Sequence, residues 1–261
     1  MIYGAFILAI LGEMALPIGI MLWLKKRYGV RWVLFGVGVL TFIGSQVIHI
    51  PLLMALNHIL MVQLPPYDVS LTAILTDAIM LGLLAGLCEE TARLVGYWVL
   101  KERAKAFTAA LTLGAGHGGI ESIGIGLSLT FTFVVSLLAM RSNQTVAGVT
   151  PQSAEAIFAY PWYVPLINLF ERFTAASLHL TLSVMVWQAV RRGAWAWYLG
   201  AVLYHAFMEG LTVALPLLGG STYFLEGILG VFMLANLVTL YLVNRREVKM
   251  SAGNRVLNTL K

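Results

Sequence analysis

Glutamate and histidine recur in four apolar stretches of this chain, at spacings that suit acid–base chemistry or metal ligation. The first stretch holds Glu89, Glu90 and Arg93, the second His117 and Glu121, the third His179, and the fourth His205 and Glu209. Glu89 and Arg93 stand four residues apart, as do His117 and Glu121, and His205 and Glu209. Residues at that spacing share one helix face. An ionisable group in hydrocarbon costs roughly 2.5 kcal/mol or more, so such a face turns inward or lines a water-filled cavity. A carboxylate accepts protons, and an imidazole accepts or donates them or binds a metal. Taken singly, each group has an ordinary structural reading. Glu89 or Glu90 with Arg93 is a buried ion pair, His117 and His179 are hydrogen-bonded interior histidines, and His205 bonds to Glu209 across one turn. Taken together, they point to a polar site buried among helices.

The composition identifies the elements that must position these groups. The chain has 261 residues, of which 59% are hydrophobic and 11% charged. Soluble domains average about 25% charged residues. The fold class is therefore all-α, a polytopic membrane protein with no stretch long enough for a separate soluble domain. A span needs about 20 mostly apolar residues. Seven stretches qualify, at about 2–24, 32–56, 72–100, 107–139, 165–190, 194–217 and 223–243. The whole chain, 1–261, reads as one transmembrane domain with a core at about 72–217 and a tail at about 245–261.

Basic residues set the orientation. Lys25, Lys26, Arg27 and Arg31 follow the first span, and Lys101, Arg103 and Lys105 follow the third. Arg191 and Arg192 follow the fifth span, and Arg245, Arg246, Lys249, Arg255 and Lys261 follow the seventh. The opposite loops, 57–71, 140–164 and 218–222, contain only Arg141. The positive-inside rule then places the N-terminus outside and the C-terminus in the cytoplasm. Loops 57–71 and 140–164 are expected to form an outer cap. The net charge of +5 is explained by these topology signals and calls for no nucleic acid. The single Cys88 excludes an internal disulfide. The N-terminus lacks a basic leader region, so the first span reads as a retained helix. Gly114, Gly116, Gly118, Gly119, Gly124 and Gly126 mark the fourth span as central and closely packed.

Measured from the basic ends, the four groups lie at one depth. Glu89 stands 11 residues from Leu100, His117 11 from Ala106, His179 11 from Val190 and His205 11 from Ala194. At 1.5 Å per residue this is roughly 16 Å, about half of a ~30 Å hydrocarbon core. The groups are expected to meet near the midplane in a site open to the cytoplasmic side. Of the other charges, Asp77 is expected to pair with Arg172 near the outer end, beside Glu171. Glu13 and His49 read as isolated structural groups. Glu226 reads as interfacial, and Trp162, Trp195 and Trp197 as interfacial belts.

The run Glu89-Glu90-Thr91-Ala92-Arg93, then Gly116-His117-Gly118-Gly119-Ile120-Glu121-Ser122, then His179, then Tyr204-His205-Ala206-Phe207-Met208-Glu209-Gly210, resembles the YhfC family of intramembrane proteases. That family is similar to the CAAX prenyl proteases, the PrsW proteases and the scaffold subunit of gamma-secretase. The resemblance covers roughly residues 80–212. It implies Glu89 as the water-activating base with Glu90 supporting, and it places His117 or Glu121 at the site. It also implies an oxyanion-stabilising role for His205 and the residue four later. That residue is Glu209 here, where CAAX proteases have asparagine, and a carboxylate donates no hydrogen bond unless protonated. Two residues separate Glu90 from Arg93, as in the YhfC and PrsW branches, where CAAX proteases have three.

The resulting expectation is an intramembrane endopeptidase cutting a membrane-associated peptide or protein near the cytoplasmic side of the bilayer. Its catalytic residues would be Glu89, Glu90, His117, His179 and His205, supported by Arg93, Glu121 and Glu209. A metal-free, glutamic-type mechanism is the preferred version. Zinc held by His117, His179, His205 and Glu89 is the other version. The resemblance implies a bacterial cell membrane. Two rival classes remain, a non-catalytic seven-helix scaffold and a proton-coupled transporter. The retained glutamate pair argues against the first. A polar path reaching both faces would favour the second.

Overall fold

The computed structural model describes residues 1–61 and 70–259. The elements are α1 (Ile2–Tyr28), α2 (Trp32–Met61), α3 (Leu71–Leu100), α4 (Phe107–Ser142), α5 (Pro151–Ala159), α6 (Val164–Arg192), α7 (Trp195–Leu217) and α8 (Thr222–Thr259). A 3-10 turn, Lys101–Ala104, links α3 to α4. No strand forms among the described residues. All of these helices except α5 are long and apolar enough to cross a membrane, and the chain is a multi-pass membrane protein.

Two expectations change. The stretch 140–164 is not all loop, because α5 forms within it. Thr150 caps that helix, with its hydroxyl accepting from the Ser153 amide and the Ser153 side chain closing back on the Thr150 backbone. The expected tail at 245–261 is a continuation of α8 as far as Thr259. Most of the expected cap loop 57–71 lies outside the described residues.

α4 packs against α1, α2 and α6, which makes it the central helix, and α3 pairs most extensively with α7. α8 leans on α6 and barely meets α7. Apolar side chains such as Leu40, Val47, Val99 and Leu203 face outward along the bundle. Inward-facing positions divide into two zones. Toward the basic ends, Tyr97, Leu113, Leu182, Val186 and Trp187 are fully packed. The Tyr97 hydroxyl donates to Ser183 and the Ser183 hydroxyl donates to the Ala110 carbonyl, so α3, α6 and α4 are tied together there. The Trp187 indole donates to the Ala104 carbonyl at 2.9 Å and anchors α6 to the turn before α4.

Small residues set how close α4 comes to its neighbours. A Cβ on Gly116 would stand 2.0 Å from the Phe35 carbonyl oxygen of α2. One on Gly118 would stand 2.7 Å from the His179 ring of α6. Neither contact is possible without separating helices, so these glycines hold α2 and α6 at the distance the polar cluster needs. Overpacking of this kind costs about 1–3 kcal/mol. G116A is therefore expected to lower the thermal unfolding midpoint of the detergent-solubilised protein. G124A, whose Cβ would meet nothing within 4 Å, should leave the midpoint unchanged.

Candidate functional site

Glu89, Glu90 and Arg93 of α3, His117 of α4, His179 of α6 and His205 of α7 meet in one hydrogen-bonded cluster. All six are buried. Arg93 is at its centre. One Nη donates to Glu90 Oε1, the other faces His179 Nδ1 at 2.5 Å, and Glu89 Oε2 lies 3.8 Å away. Both carboxylates of the Glu89-Glu90 pair therefore meet this guanidinium. Their other partners differ. Glu90 is fully buried and also receives His205 Nδ1 at 2.7 Å. Glu89 faces His117 Nε2 at 3.0 Å and accepts from the Gln46 amide at 3.3 Å.

Partner chemistry fixes which imidazole nitrogens carry hydrogen. A carboxylate only accepts, so neutral His205 carries its hydrogen on Nδ1 toward Glu90. This leaves the His205 Nε2 lone pair without a donor among the described residues, 3.9 Å from Glu89 Oε2. A guanidinium only donates, so His179 accepts at Nδ1 and carries its hydrogen on Nε2. That nitrogen lies 2.5 Å from Glu121 Oε2. His117 is adjustable. Its Nδ1 lies 2.9 Å from the Thr41 hydroxyl, which also lies 2.7 Å from the Gly38 carbonyl. The hydroxyl can donate to Nδ1, leaving a hydrogen on Nε2 for Glu89. It can equally donate to Gly38 and accept from Nδ1, which frees Nε2 for a cation.

Glu89, His117 and His179 each offer a ligand atom within 4.8 Å of the others, a set able to hold a metal ion. Zinc takes such a His and carboxylate set. The Thr41 contact fits it, because a ligating histidine normally donates its other nitrogen to a fixed acceptor. His179 joins only by exchanging Arg93 or Glu121 for the metal, since both of its nitrogens are engaged.

Glu121 extends the network outward. It accepts from Arg172 at 2.9 Å, and Arg172 also reaches Glu171 at 3.8 Å. The expected pairing of Arg172 with Asp77 is not formed, because Glu121, one turn beyond His117, occupies the guanidinium. Glu209 makes no hydrogen bond to His205, whose Nδ1 belongs to Glu90, and it lines the adjoining cavity. Glu13 is buried, and neither of its carboxylate oxygens has a hydrogen-bond partner among the described residues.

The sequence reading missed the contribution of α2. Thr41 holds His117, Gln46 holds Glu89, and His49 lines the cavity. The signal was four polar residues, Thr41, Ser45, Gln46 and His49, gathered in the middle of an apolar span.

A cavity of about 630 Å³ adjoins the cluster, touching Glu89, His179 and His205. It was expected on the side of the basic segments. It extends instead the other way, past Glu121 and Arg172 on α4 and α6, past Glu209 and Thr212 on α7, to Pro216 and Thr222. The packed layer of Tyr97, Leu113, Leu182 and Trp187 fills the space on the basic side.

Replacing Thr41 tests the adjustable contact. T41V removes the acceptor for Nδ1 and is expected to weaken zinc binding by about 10–100-fold, while T41S keeps the hydroxyl and binds close to wild type. Zinc titration of the purified protein, with histidine 15N shifts to report the His117 tautomer, measures both.

Residues 12–239 match the family model described as YhfC intramembrane metalloprotease. The chain is also 30% identical over 214 residues to the uncharacterized membrane protein YhfC of Bacillus subtilis (strain 168). That match spans 77% of this chain and 81% of the relative. No solved structure matches it.

Proposed function

Since the chain belongs to the YhfC intramembrane metalloprotease family, we propose that it is a metal-dependent intramembrane endopeptidase whose centre is the Glu89–His117–His179–His205 cluster. The observation that carries this reading is the convergence of ligand-competent and proton-accepting groups at one wall of the cavity. His205 Nε2 and Glu89 Oε2 face each other there across 3.9 Å at the wall of the cavity.

Glu89 and His117 are the preset ligand pair, and His179 completes the compact set. A divalent ion such as zinc, when bound, polarises the scissile carbonyl and acidifies the attacking water. The rest is work for the chain itself. His205 accepts the proton of the water at Nε2. Glu90 holds its Nδ1–H, and Arg93 holds Glu90, so the ring cannot turn away. His205 then returns the proton to the departing amine as the peptide C–N bond breaks. This carboxylate–imidazole arrangement suits general acid–base work. The sequence reading assigned the base to Glu89. The open lone pair of His205 favours His205, with Glu89 as ligand. Glu209 lines the cavity and takes no part in this relay.

The cavity also separates the rivals. It reaches the cluster from one side and stops at packed side chains on the other. A one-sided cavity suits hydrolysis, where transport needs a path to both faces. A purely structural scaffold has no use for the His205 Nε2 lone pair that faces the cavity.

The test combines metal content with cleavage. Wild-type protein is expected to hold about one zinc per chain, H117A and H179A to lose it, and H205A to retain it. Comparison of new N-termini in membranes expressing each form should show cleavage falling by about 10²–10⁴-fold in H205A. Cleavage that survives removal of the metal by a chelator would overturn the metal-dependent form and return the base role to Glu89.

A further inference from the structure

The side from which the cavity is reached carries information about the substrate. On α3, α4, α6 and α7 the lining residues lie at the cluster or between it and the end away from the basic segments. Gln46 and His49 do so on α2, and Glu209 and Thr212 on α7. At the far end are Pro216 and Thr222, both exposed, where α7 gives way to α8. Those two helices barely touch, so the seam between them is held apart. The other end is sealed. Tyr97, Leu113, Leu182 and Val186 are at most 1% exposed, and Arg93 lies directly above them with no exposure. Neither water nor a peptide reaches Glu89 through that layer.

The sealed end is the end that carries Lys25, Lys26, Arg191 and Arg192. Basic residues of this kind stay in the cytoplasm. We propose that the active-site cavity is entered from the extracytoplasmic face, beside the outer ends of α7 and α8. Its substrate is then a membrane-anchored polypeptide cleaved on its extracytoplasmic side. The word substrate rests on the hydrolase reading. The route of access does not, and it is measurable without any proteolysis.

The experiment is cysteine accessibility in a C88A background, which removes the only native thiol. T212C and A175C place probes on the cavity wall, Q144C marks the loop face and K26C the basic face. Cells and inverted vesicles are treated with a charged, membrane-impermeant methanethiosulfonate, and the remaining thiols are then counted with a fluorescent maleimide. The expected result is protection of T212C, A175C and Q144C by reagent outside intact cells, and of K26C only in inverted vesicles. Reaction of T212C and A175C from the K26C side alone overturns the proposal. So does their failure to react from either side while Q144C reacts. Exposure of K26C to the cell exterior overturns the assignment of the cavity to the extracytoplasmic face. None of these results depends on whether the cluster cleaves peptides, so a failed protease assay and a failed access assay remain distinguishable.

Discussion

The structure depends on the burial of one guanidinium. Arg93 has no exposure and sits where α3, α6 and α7 converge. A charge in that position is tolerable only if it is paired, because removing one member of a buried pair typically costs 3–5 kcal/mol. Glu90 is its direct counter-charge, Glu89 lies within 4 Å, and His179 accepts from its second nitrogen. Each partner then makes a further bond, Glu90 to His205 and His179 to Glu121. The cluster thus grows outward from Arg93 by successive satisfaction of donors and acceptors. It ends at the cavity, where His205 Nε2 stands 3.9 Å from Glu89 Oε2, the oxygen that also faces His117.

That dependence explains which parts of the site were legible in the sequence. Hydrocarbon makes polar residues conspicuous, so Glu89, Glu90, Arg93, His117, His179 and His205 stood out at once. A constant rise per residue placed them at one level from their helix ends. The same arithmetic could not show which side of that level is open. The groups lie near the middle of their spans, and the decision belongs to Tyr97, Leu113, Leu182 and Trp187. These are apolar or aromatic residues that look like any others in a membrane helix. The cavity was therefore assigned to the wrong end. α2 was overlooked for a related reason. Thr41 and Gln46 are uncharged, and their importance lies in what they hold. α5 was missed because nine residues of modest hydrophobicity between longer spans resemble a loop until the Thr150–Ser153 cap is considered.

Glycine carries the other half of the design. The cluster spans four helices, and short side chains such as Glu and His bridge them only if the backbones come close. Gly116 brings α4 against the Phe35 carbonyl of α2, which is the approach that lets Thr41 reach His117. Gly118 leaves the space occupied by the His179 ring. The motif around His117 is therefore two statements in one. The histidine supplies the ring that bonds Thr41 and Glu89, and the glycines beside it supply the separation at which that ring reaches the neighbouring helices.

The histidines differ most in what holds their Nδ1 atoms, and that difference fits the separate roles proposed for them. His205 is held by a carboxylate that is itself tied to Arg93. A carboxylate stabilises the ring both before and after it takes a proton, so His205 can pick one up and release it without losing its orientation. His117 is held by a hydroxyl that can act as donor or acceptor. A hydroxyl offers little to a charged ring but adapts to either neutral form, which suits a residue that exchanges a proton for a cation. His179 is clamped from both sides, by a donor at Nδ1 and an acceptor at Nε2, and becomes available only if one of them yields. Glu121, the partner at Nε2, is also bound to Arg172 and lines the cavity. Arg172, Glu121 and His179 thus form a continuous chain of three side chains from the cavity to the cluster.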